Sequence, residues 1–241
     1  MLGYIIYGDG PKKPELGEKR LPGGTFVSLR MGTKGPFAAR RALRGAKKLR
    51  EAGVRNAVFP VDFPYTAQFI RQGICPVDPL PLRRTLAAPL ARRRLEERGI
   101  SPAKAVIAIS AERAVREVIE AAKALAMSYR YVLLSVKRGG EDFARSLRRE
   151  YGISLLLRPS AEQMDRADAL LLFSPRTDLA LDNPILFTLY PGGEAGRGCL
   201  PLPLPAALAE QLEPNCSREQ LAAALCTLGG LTPEMLLAEI S

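Results

Sequence analysis

The chain has no histidine and no tryptophan in 241 residues, and its four cysteines, Cys75, Cys199, Cys216 and Cys226, show no CxxC spacing. Without histidine there is no Ser-His or Cys-His nucleophile pair and no ordinary general base near neutral pH. Acid–base work would fall to Asp, Glu, Lys, Tyr or Cys. Zinc sites of the usual kind need paired Cys or His ligands, so no metal is expected. The thiols are expected to be reduced and mostly buried, with Cys75 open as reactive or merely buried. Aromatic residues make up 6%, too few for the interleaved stacking platforms of single-strand nucleic-acid binders. No apolar run approaches the roughly 20 residues that span a bilayer. The N-terminus lacks the basic region and long apolar stretch of a secretory signal, which makes the cytoplasm the expected location and a membrane partner unexpected.

What is present is ordinary for a soluble globular protein: 47% hydrophobic and 25% charged residues. The net charge of +10 is unevenly spread. Residues 1–104 carry 21 Lys/Arg against 8 Asp/Glu, residues 105–175 carry 11 against 9, and residues 176–241 carry 3 against 8. A basic front and an acidic tail fit a polyanion partner, or one half docking on the other, or an arginine-rich codon bias. The basic helices around Arg40–Lys48 and Arg92–Arg98 have the charge to track phosphates. They read better as solvated helix faces, so a nucleic-acid partner is disfavoured.

Along the chain, Tyr4–Tyr7 reads as an edge strand followed by a loose Gly/Pro/Lys loop, and Thr25–Arg30 as a second strand. A helix is predicted over 37–52, with Ala39, Ala42, Leu43, Ala46 and Leu49 on its apolar face and Gly53 at its end. Asn56–Phe59 is the next strand, and a short helix follows over 64–72, so this region predicts a β-α-β unit. Cys75–Pro81 is a proline-rich connector. A basic helix follows over 82–98, kinked at Pro89, and Gly99–Ala103 reads as the domain boundary.

From Ala105 the alternation is cleaner. Strands are predicted at 105–109, 131–136, 153–157 and 169–173, with a helix after Ser110 that places Val115, Val118, Ile119, Ala122, Leu125 and Ala126 on one face, helices over 141–150 and 161–166, and a further apolar strand at 185–190. Strands that alternate with helices in this way predict a doubly wound α/β domain. In the tail, Ser217–Gln220 reads as a capping box and Pro233 as the first residue of a last helix. The expected domains are an N-terminal α/β domain over 1–103, a Rossmann-like domain over 104–191, and a glycine/proline loop with C-terminal helices over 192–241 that pack back.

In its order of elements, and in the close Asp165-Arg-Ala-Asp-Ala-Leu-Leu-Leu-Phe-Ser-Pro175, the stretch 105–175 resembles the NAD(P)-binding domain of two-domain dehydrogenases, the shikimate dehydrogenase-like proteins among them. That family's G-x-G-x-x-G turn brings the backbone to the pyrophosphate at a helix N-terminus. Here the turn reads Ser110-Ala-Glu-Arg-Ala114. Ser110 is placed as the helix N-cap, and Glu112 falls in the first helical turn, where a carboxylate stands in the electrostatic place of the phosphate. The family's NADP-dependent members carry small polar and basic residues after the second strand. Ser135, Lys137 and Arg138, followed by Gly139-Gly140, match that pattern, as does a solvated basic turn.

Three further segments are candidates. Gly32-Thr-Lys-Gly-Pro36 joins a strand to a helix and offers amides and Lys34 to an anion, or is a plain tight turn. Asp62 follows a strand at the edge where ligands of open sheets bind. With Lys34 it would form an acid–base pair in an interdomain cleft, or it caps the helix after it. The loop 192–198 is a connector or a lid.

Three functions follow as expectations. The first is a non-catalytic or regulatory relative of dehydrogenases that has lost the dinucleotide turn, binds no cofactor, and works through a protein partner or as a homodimer. The second is an NADP-dependent oxidoreductase with Lys34 and Asp62 as catalytic pair and Ser110, Ser135, Lys137 and Arg138 on the cofactor. The third is a basic polyanion-binding protein. Whether the chain is an enzyme stays open at this point.

Overall fold

The computed structural model describes the whole chain apart from residues 9, 10, 12, 33–36, 194, 195, 197–201, 203 and 239–241. Its fold is α/β, with two mostly parallel sheets and helices on them. The chain divides into two compact units, Met1–Pro79 with Leu202–Glu239, and Leu80–Pro201.

The first unit is built on a five-stranded sheet of order β2-β3-β1-β4-β5. Its strands are β1 (Leu2–Gly8), β2 (Glu15–Leu21), β3 (Gly24–Gly32), β4 (Asn56–Val58) and β5 (Cys75–Pro76). β1 pairs in parallel with both β3 and β4, so the strand expected at an edge is in fact central. The edge is β2, antiparallel to β3, in a segment expected to be a loop. β2 reads Glu-Leu-Gly-Glu-Lys-Arg-Leu and lacks apolar alternation because, apart from Leu21 at its end, its side chains are exposed or half-buried. Charged side chains also keep such an edge from pairing with another chain.

Between β3 and β4 runs α1 (Ala38–Glu51), and α2 (Thr66–Arg71) lies between β4 and β5. α1 buries Ala38, Ala42, Gly45, Ala46 and Leu49, whereas Ala39 is exposed. Of these, Ala42, Ala46 and Leu49 join Ile5, Leu29, Met31, Ala57, Phe59, Phe63 and Phe69 in one core. Alternate strand residues point the other way. Tyr4 and Phe26 meet edge to face there, with ring centroids 6.0 Å apart.

The C-terminal segment carries α8 (Ala206–Ala209), α9 (Arg218–Leu228) and α10 (Pro233–Ala238). It is stitched to β1 and to the end of β4 by side-chain amides. Asn215 Nδ2 donates to the Tyr7 carbonyl at 2.8 Å, and the Phe59 amide donates to Gln220 Oε1 at 2.8 Å. The capping box expected at Ser217–Gln220 is therefore half formed: Ser217 Oγ accepts from the Gln220 amide, but the Gln220 side chain is spent on Phe59.

The second unit opens with α3 (Leu80–Thr85) and α4 (Ala87–Glu97). The expected single helix breaks at Leu86, not at Pro89, because Pro89 falls in the first turn of α4, where no amide donor is needed. The expected boundary at 99–103 also moves: the division between units falls at Pro79/Leu80, because α3 packs on the helix after β6 and α4 packs on that helix and two strands of the second sheet.

That sheet comprises β6 (Val106–Arg113), β7 (Tyr131–Arg138), β8 (Leu156–Leu157), β9 (Ala169–Leu172) and β10 (Ile185–Thr188), with α5 (Arg116–Ser128), α6 (Gly140–Tyr151) and α7 (Ala161–Asp165) between them. All pairs are parallel, and the order is β10-β9-β6-β7-β8. From β6 the chain steps outward to β7 and β8, then crosses back to β9 and β10. The order thus reverses between β6 and β9. Open α/β sheets place ligands outside the carboxyl ends of their strands at such a reversal.

Candidate functional site

The carboxyl edge of the second sheet departs from expectation at the first turn. β6 does not stop at Ile109. It continues through Ser110, Ala111, Glu112 and Arg113, paired with β7 to the register Arg113↔Arg138. Ser110 is an interior strand residue, 1% exposed, and not a helix cap. α5 begins only at Arg116, with Val115 as its N-cap residue and no side-chain cap. Glu112 is on the strand, where Lys137 Nζ meets its carboxylate at 2.9 Å and holds it below the usual carboxylate range. The stretch has good helix formers, but strand pairing overrides that preference.

In the reversal between β6 and β9 sits a side chain that no sequence motif marks. Arg176, on the segment after β9, lays its guanidinium across β6 and β7 at Ser110 and Ser135, before both strands end. Its Nη1 donates to Ser110 Oγ at 3.1 Å and to Ser135 Oγ at 3.0 Å, and lies 3.9 Å from Met164 Sδ. Its Nε and Nη2 donate to Asp178 Oδ1 and Oδ2, each at 2.6 Å, as a two-pronged ion pair. The Arg176 side chain is 18% exposed and that of Asp178 55%. The guanidinium pulls the Asp178 carboxyl down to about 2, and the carboxylate raises the Arg176 guanidinium in turn.

The segment that carries Arg176 is itself pinned to α7. Asp165 Oδ1 accepts from the Ala180 and Leu181 amides at 3.0 and 3.3 Å. Asn183 donates to the carbonyls of Met164, Asp165 and Ala167. α7 is closed at its start by a full capping box, Ser160 with Gln163. The Asp168 of the Ala-Asp close ties the start of β9 to β6. Its carboxylate accepts from the Val106 amide at 2.8 Å, and its own amide donates to the Val106 carbonyl at 2.9 Å.

Beside this cluster, between the end of β7, the start of α6 and the segment after β8, lies a cavity of about 480 Å³. Ser135, Lys137, Gly139, Gly140, Glu141, Asp142 and Arg158 line it. Arg158 is paired with Glu141. Two of the residues expected at a cofactor phosphate, Ser135 and Lys137, therefore share one cavity. Ser110 is behind them on the neighbouring strand, bridged to Ser135 through Arg176. Arg138 is exposed at the end of β7, its carbonyl accepting from the Ala114 amide.

The expected acid–base pair belongs to the first unit. Lys34, with the rest of its turn 33–36, lies outside the described residues. Asp62 stands on an exposed turn after β4 with φ +57°. It does not cap α2, whose N-cap residue is Tyr65. The loop 192–198 falls largely outside the described residues as well. A second cavity, of about 520 Å³, lies in this unit beside Tyr7, Arg30, Glu213 and Asn215. Glu213 is paired there with Lys19 at 3.3 Å. Cys75 is exposed rather than buried, because β5 is the sheet's last strand, and Cys216 and Cys226 are half-buried free thiols.

The two basic helices differ in one respect. On α4, Arg92, Arg93 and Arg94 pair with Glu96 and Glu97. On α1, Arg40, Arg44 and Lys47 are exposed and have no ion-pair partner among the described residues. Among the described residues no helix is long and apolar enough to cross a membrane, and no group of three or more Cys, Asp or Glu side chains has the arrangement of a metal site.

Fold and site together define a chain whose second unit has a Rossmann-like parallel sheet, with an arginine set in the place where such sheets receive ligands. No protein-family model and no curated protein matches the sequence. Among solved structures the chain is weakly similar to the L-tryptophan dehydrogenase from Nostoc punctiforme, with 12% identity and a TM-score of 0.27; the match covers 62% of this chain and 44% of that one. The chain thus matches less than half the length of that enzyme.

Proposed function

We propose that this protein is a non-catalytic, regulatory relative of two-domain dehydrogenases, whose Rossmann-like unit no longer takes a dinucleotide and which acts through a protein partner or a second copy of itself. The observation that carries this reading is the seat of Arg176. A pyrophosphate in the dehydrogenase manner needs glycines at the strand end and a free helix N-terminus facing it. This chain has a strand running on to Arg113 and a guanidinium bound to Ser110 and Ser135. Thermal-shift titration with NADPH and NADH tests it. The expected result is no shift with either at millimolar concentration, whereas saturating occupancy at a hundredfold excess over Kd adds about 2.7 kcal/mol of stability. Stoichiometric NADPH binding sinks the reading.

A second reading, an NADP-dependent oxidoreductase, is favoured by one observation: Ser135 and Lys137 line a cavity of about 480 Å³. In this reading Ser135 and Lys137 in the cavity, with Arg138 at the end of β7, hold the 2′-phosphate. Arg138→Ala would then weaken NADPH binding more than NADH binding, and an equal effect on both excludes it. A third reading, polyanion binding, narrows to α1, whose exposed Arg40, Arg44 and Lys47 have, among the described residues, none of the carboxylate partners found on α4. Its mark is an affinity for DNA or RNA that falls steeply with salt and is lost on neutralising Arg40, Arg44 and Lys47.

A further inference from the structure

We infer that the β8 edge of the second unit is a self-association surface: it pairs antiparallel with the β8 edge of a second copy about a two-fold axis, joining the two sheets into one. This deepens the reading of a chain that acts through a second copy of itself, and rests on it.

A sheet edge presents a row of backbone N–H and C=O groups to other strands, and proteins guard it with charge, proline or a cover. Three of the four edges in this chain are guarded. β2 carries Glu15, Glu18, Lys19 and Arg20. β5 ends in Pro76, which has no amide hydrogen to give. β10 buries Ile185, Leu186 and Phe187. β8 has none of these devices. The run Ile153-Ser-Leu-Leu-Leu157 holds neither charge nor proline. Leu156 is 53% exposed and Leu157 39%, although strands of a parallel sheet are ordinarily covered on both faces. Among the described residues no strand lies beyond it.

The backbone sets the register. The Arg158 amide donates inward, to the Leu134 carbonyl at 3.2 Å. Backbone direction alternates along a strand, so Leu155 and Leu157 turn their N–H and C=O groups outward. A mate centred on Leu156 lets Leu155 of each copy exchange both bonds with Leu157 of the other. The two Leu156 side chains then meet on the axis as the closer, non-hydrogen-bonded kind of pair. A two-fold contact has to be self-complementary in this way.

α6 supports the same axis. Its first residue, Gly140, lies against the Val136 side chain, three residues beyond Leu133, the partner of Leu156. Three strand residues span about 10 Å, which a helix covers in roughly six or seven residues. The axis through Leu156 therefore passes the middle of α6, near Ser146, and sets the two α6 helices antiparallel. Their ends are oppositely charged, with Glu141 and Asp142 in the first turn and Arg148 and Arg149 in the last. Such polarity suits the helix dipole, and in an antiparallel pair it also sets acid against base at both ends. Glu141 faces β8, where Arg158 pairs with it. Arg148, on the same face of the helix, is exposed and has no ion-pair partner among the described residues. Arg145, which comes near its own copy at the axis, is paired with Asp142 at 3.3 Å. One short strand and one helix face form a small contact beside the roughly 800 Å² per partner of a standard interface, so the association is reversible.

Sedimentation velocity on the full chain, across a dilution series at neutral pH, tests the surface. The parent is expected to pass from monomer to dimer as concentration rises. Leu156→Lys sets two like charges against each other on the axis and is expected to weaken dimerisation at least about tenfold. Arg148→Glu and Glu141→Lys, both at exposed positions, are each expected to weaken it as well. An equimolar mixture of these two variants is expected to recover the dimer, because each mixed pair again sets acid against base. A parent that stays monomeric at every concentration overturns the surface, whatever other strand the edge accepts. A dimer indifferent to Leu156→Lys places the contact elsewhere and overturns it too. A mixture no better than either variant alone overturns the antiparallel arrangement. Stoichiometric NADPH binding by the dimer overturns the loss of dinucleotide binding and leaves this surface standing, whereas a monomer that binds no NADPH overturns this surface alone.

Discussion

Arg176 Nη1 and Ser135 Oγ meet at 3.0 Å, and the same nitrogen reaches Ser110 Oγ at 3.1 Å on the parallel strand beside it. One guanidinium thus ties together β6, β7 and the segment after β9 at the point where the strand order reverses. In a dinucleotide-binding sheet this place faces an anion, and the backbone is kept bare by glycine so that the anion can approach. Here the strands run on with side chains at every position, and the charge that meets Ser110 and Ser135 is positive. The chain supplies the anion itself, as Asp178.

If Arg176 ties β6 and β7 together, its removal should cost more than the loss of either serine. Arg176→Met keeps much of the aliphatic stem but leaves the buried Ser110 hydroxyl without this donor and Asp178 without its cation. The expected loss is about 2–3 kcal/mol, against about 1 kcal/mol for Ser135→Ala, which leaves the bond to Ser110 in place. Urea denaturation of the two variants and the parent measures both. Equal losses would mean that the guanidinium rests on the two strands without securing them.

The Asp178 carboxyl titrates at about 2 in the folded chain, down from its ordinary 3.8, because Arg176 binds its charged form. A group whose acid constant is lowered by folding adds stability above its unfolded value, and that stability is lost as pH falls through the folded one. The contribution is therefore complete above about pH 4 and gone below about pH 2. Asp178→Asn should be less stable than the parent at pH 5, and the gap should close between pH 4 and pH 2. Urea midpoints of the pair at pH 5, 3 and 2 follow it; a gap that stays constant with pH would show that the charge on Asp178 contributes nothing.

Much of the second unit was legible because parallel strands buried on both faces leave long apolar runs, as at Val106–Ile109 and Ala169–Leu172. The edge strand β2 was not, since a strand left almost wholly in water, with charged residues along it, has the composition of a loop. The missing glycines at 110–114 were visible, yet their consequence was misread. Ser-Ala-Glu-Arg-Ala suits a helix start, and only pairing with Val136 and Arg138 keeps it extended. The candidate site was half legible. Ser135 and Lys137 drew attention by type and position, but Arg176 is one of many arginines, and its role rests on Asp165 and Asn183 folding its segment back onto α7. No local pattern carries that information. Gln220 is similar: its spacing from Ser217 fits a local cap, and the tertiary fold uses its side chain on Phe59 instead.

In the first unit, the turn between β2 and β3 approaches the end of α9 backbone to backbone. A Cβ on Gly23, which has φ +90°, would sit 2.8 Å from the Gly230 carbonyl oxygen, and one on Gly230 would fall on the Gly23 carbonyl. Neither contact can yield as a side-chain tip would. Gly230→Ala should cost about 3 kcal/mol or more, in the upper range for overpacked sites. Gly229→Ala is the control. It has φ +76° and open space around its Cβ position, so it should cost only the roughly 1–2 kcal/mol of a left-handed residue with a side chain. Urea midpoints separate the two. Equal costs would place the constraint in the glycine conformation and not in the close approach of the two turns.

Asn183 is fully buried, and its Nδ2 stands 2.8, 3.1 and 2.9 Å from the carbonyls of Met164, Asp165 and Ala167, the last acceptors of α7 and its exit. Its Oδ1 has no hydrogen-bond partner among the described residues. Asn183→Ala should cost about 2–3 kcal/mol at any pH between 4 and 8, because it strands buried carbonyls. Asn183→Asp adds an acid that is favoured only when neutral, since its carboxylate would face three carbonyl oxygens without a cation. The folded state must raise that acid constant above the ordinary value near 3.9. Protonated, the aspartic acid can donate to one carbonyl, so the variant should match or exceed Asn183→Ala in stability near pH 4. Its stability should then fall as pH rises, leaving it the weaker of the two at pH 7. Urea midpoints of both variants at pH 4, 5.5 and 7 decide the matter: an Asn183→Asp chain whose stability does not decline with pH would mean that the carboxylate escapes to water, and that α7 and the segment bearing Arg176 are not locked together at this residue.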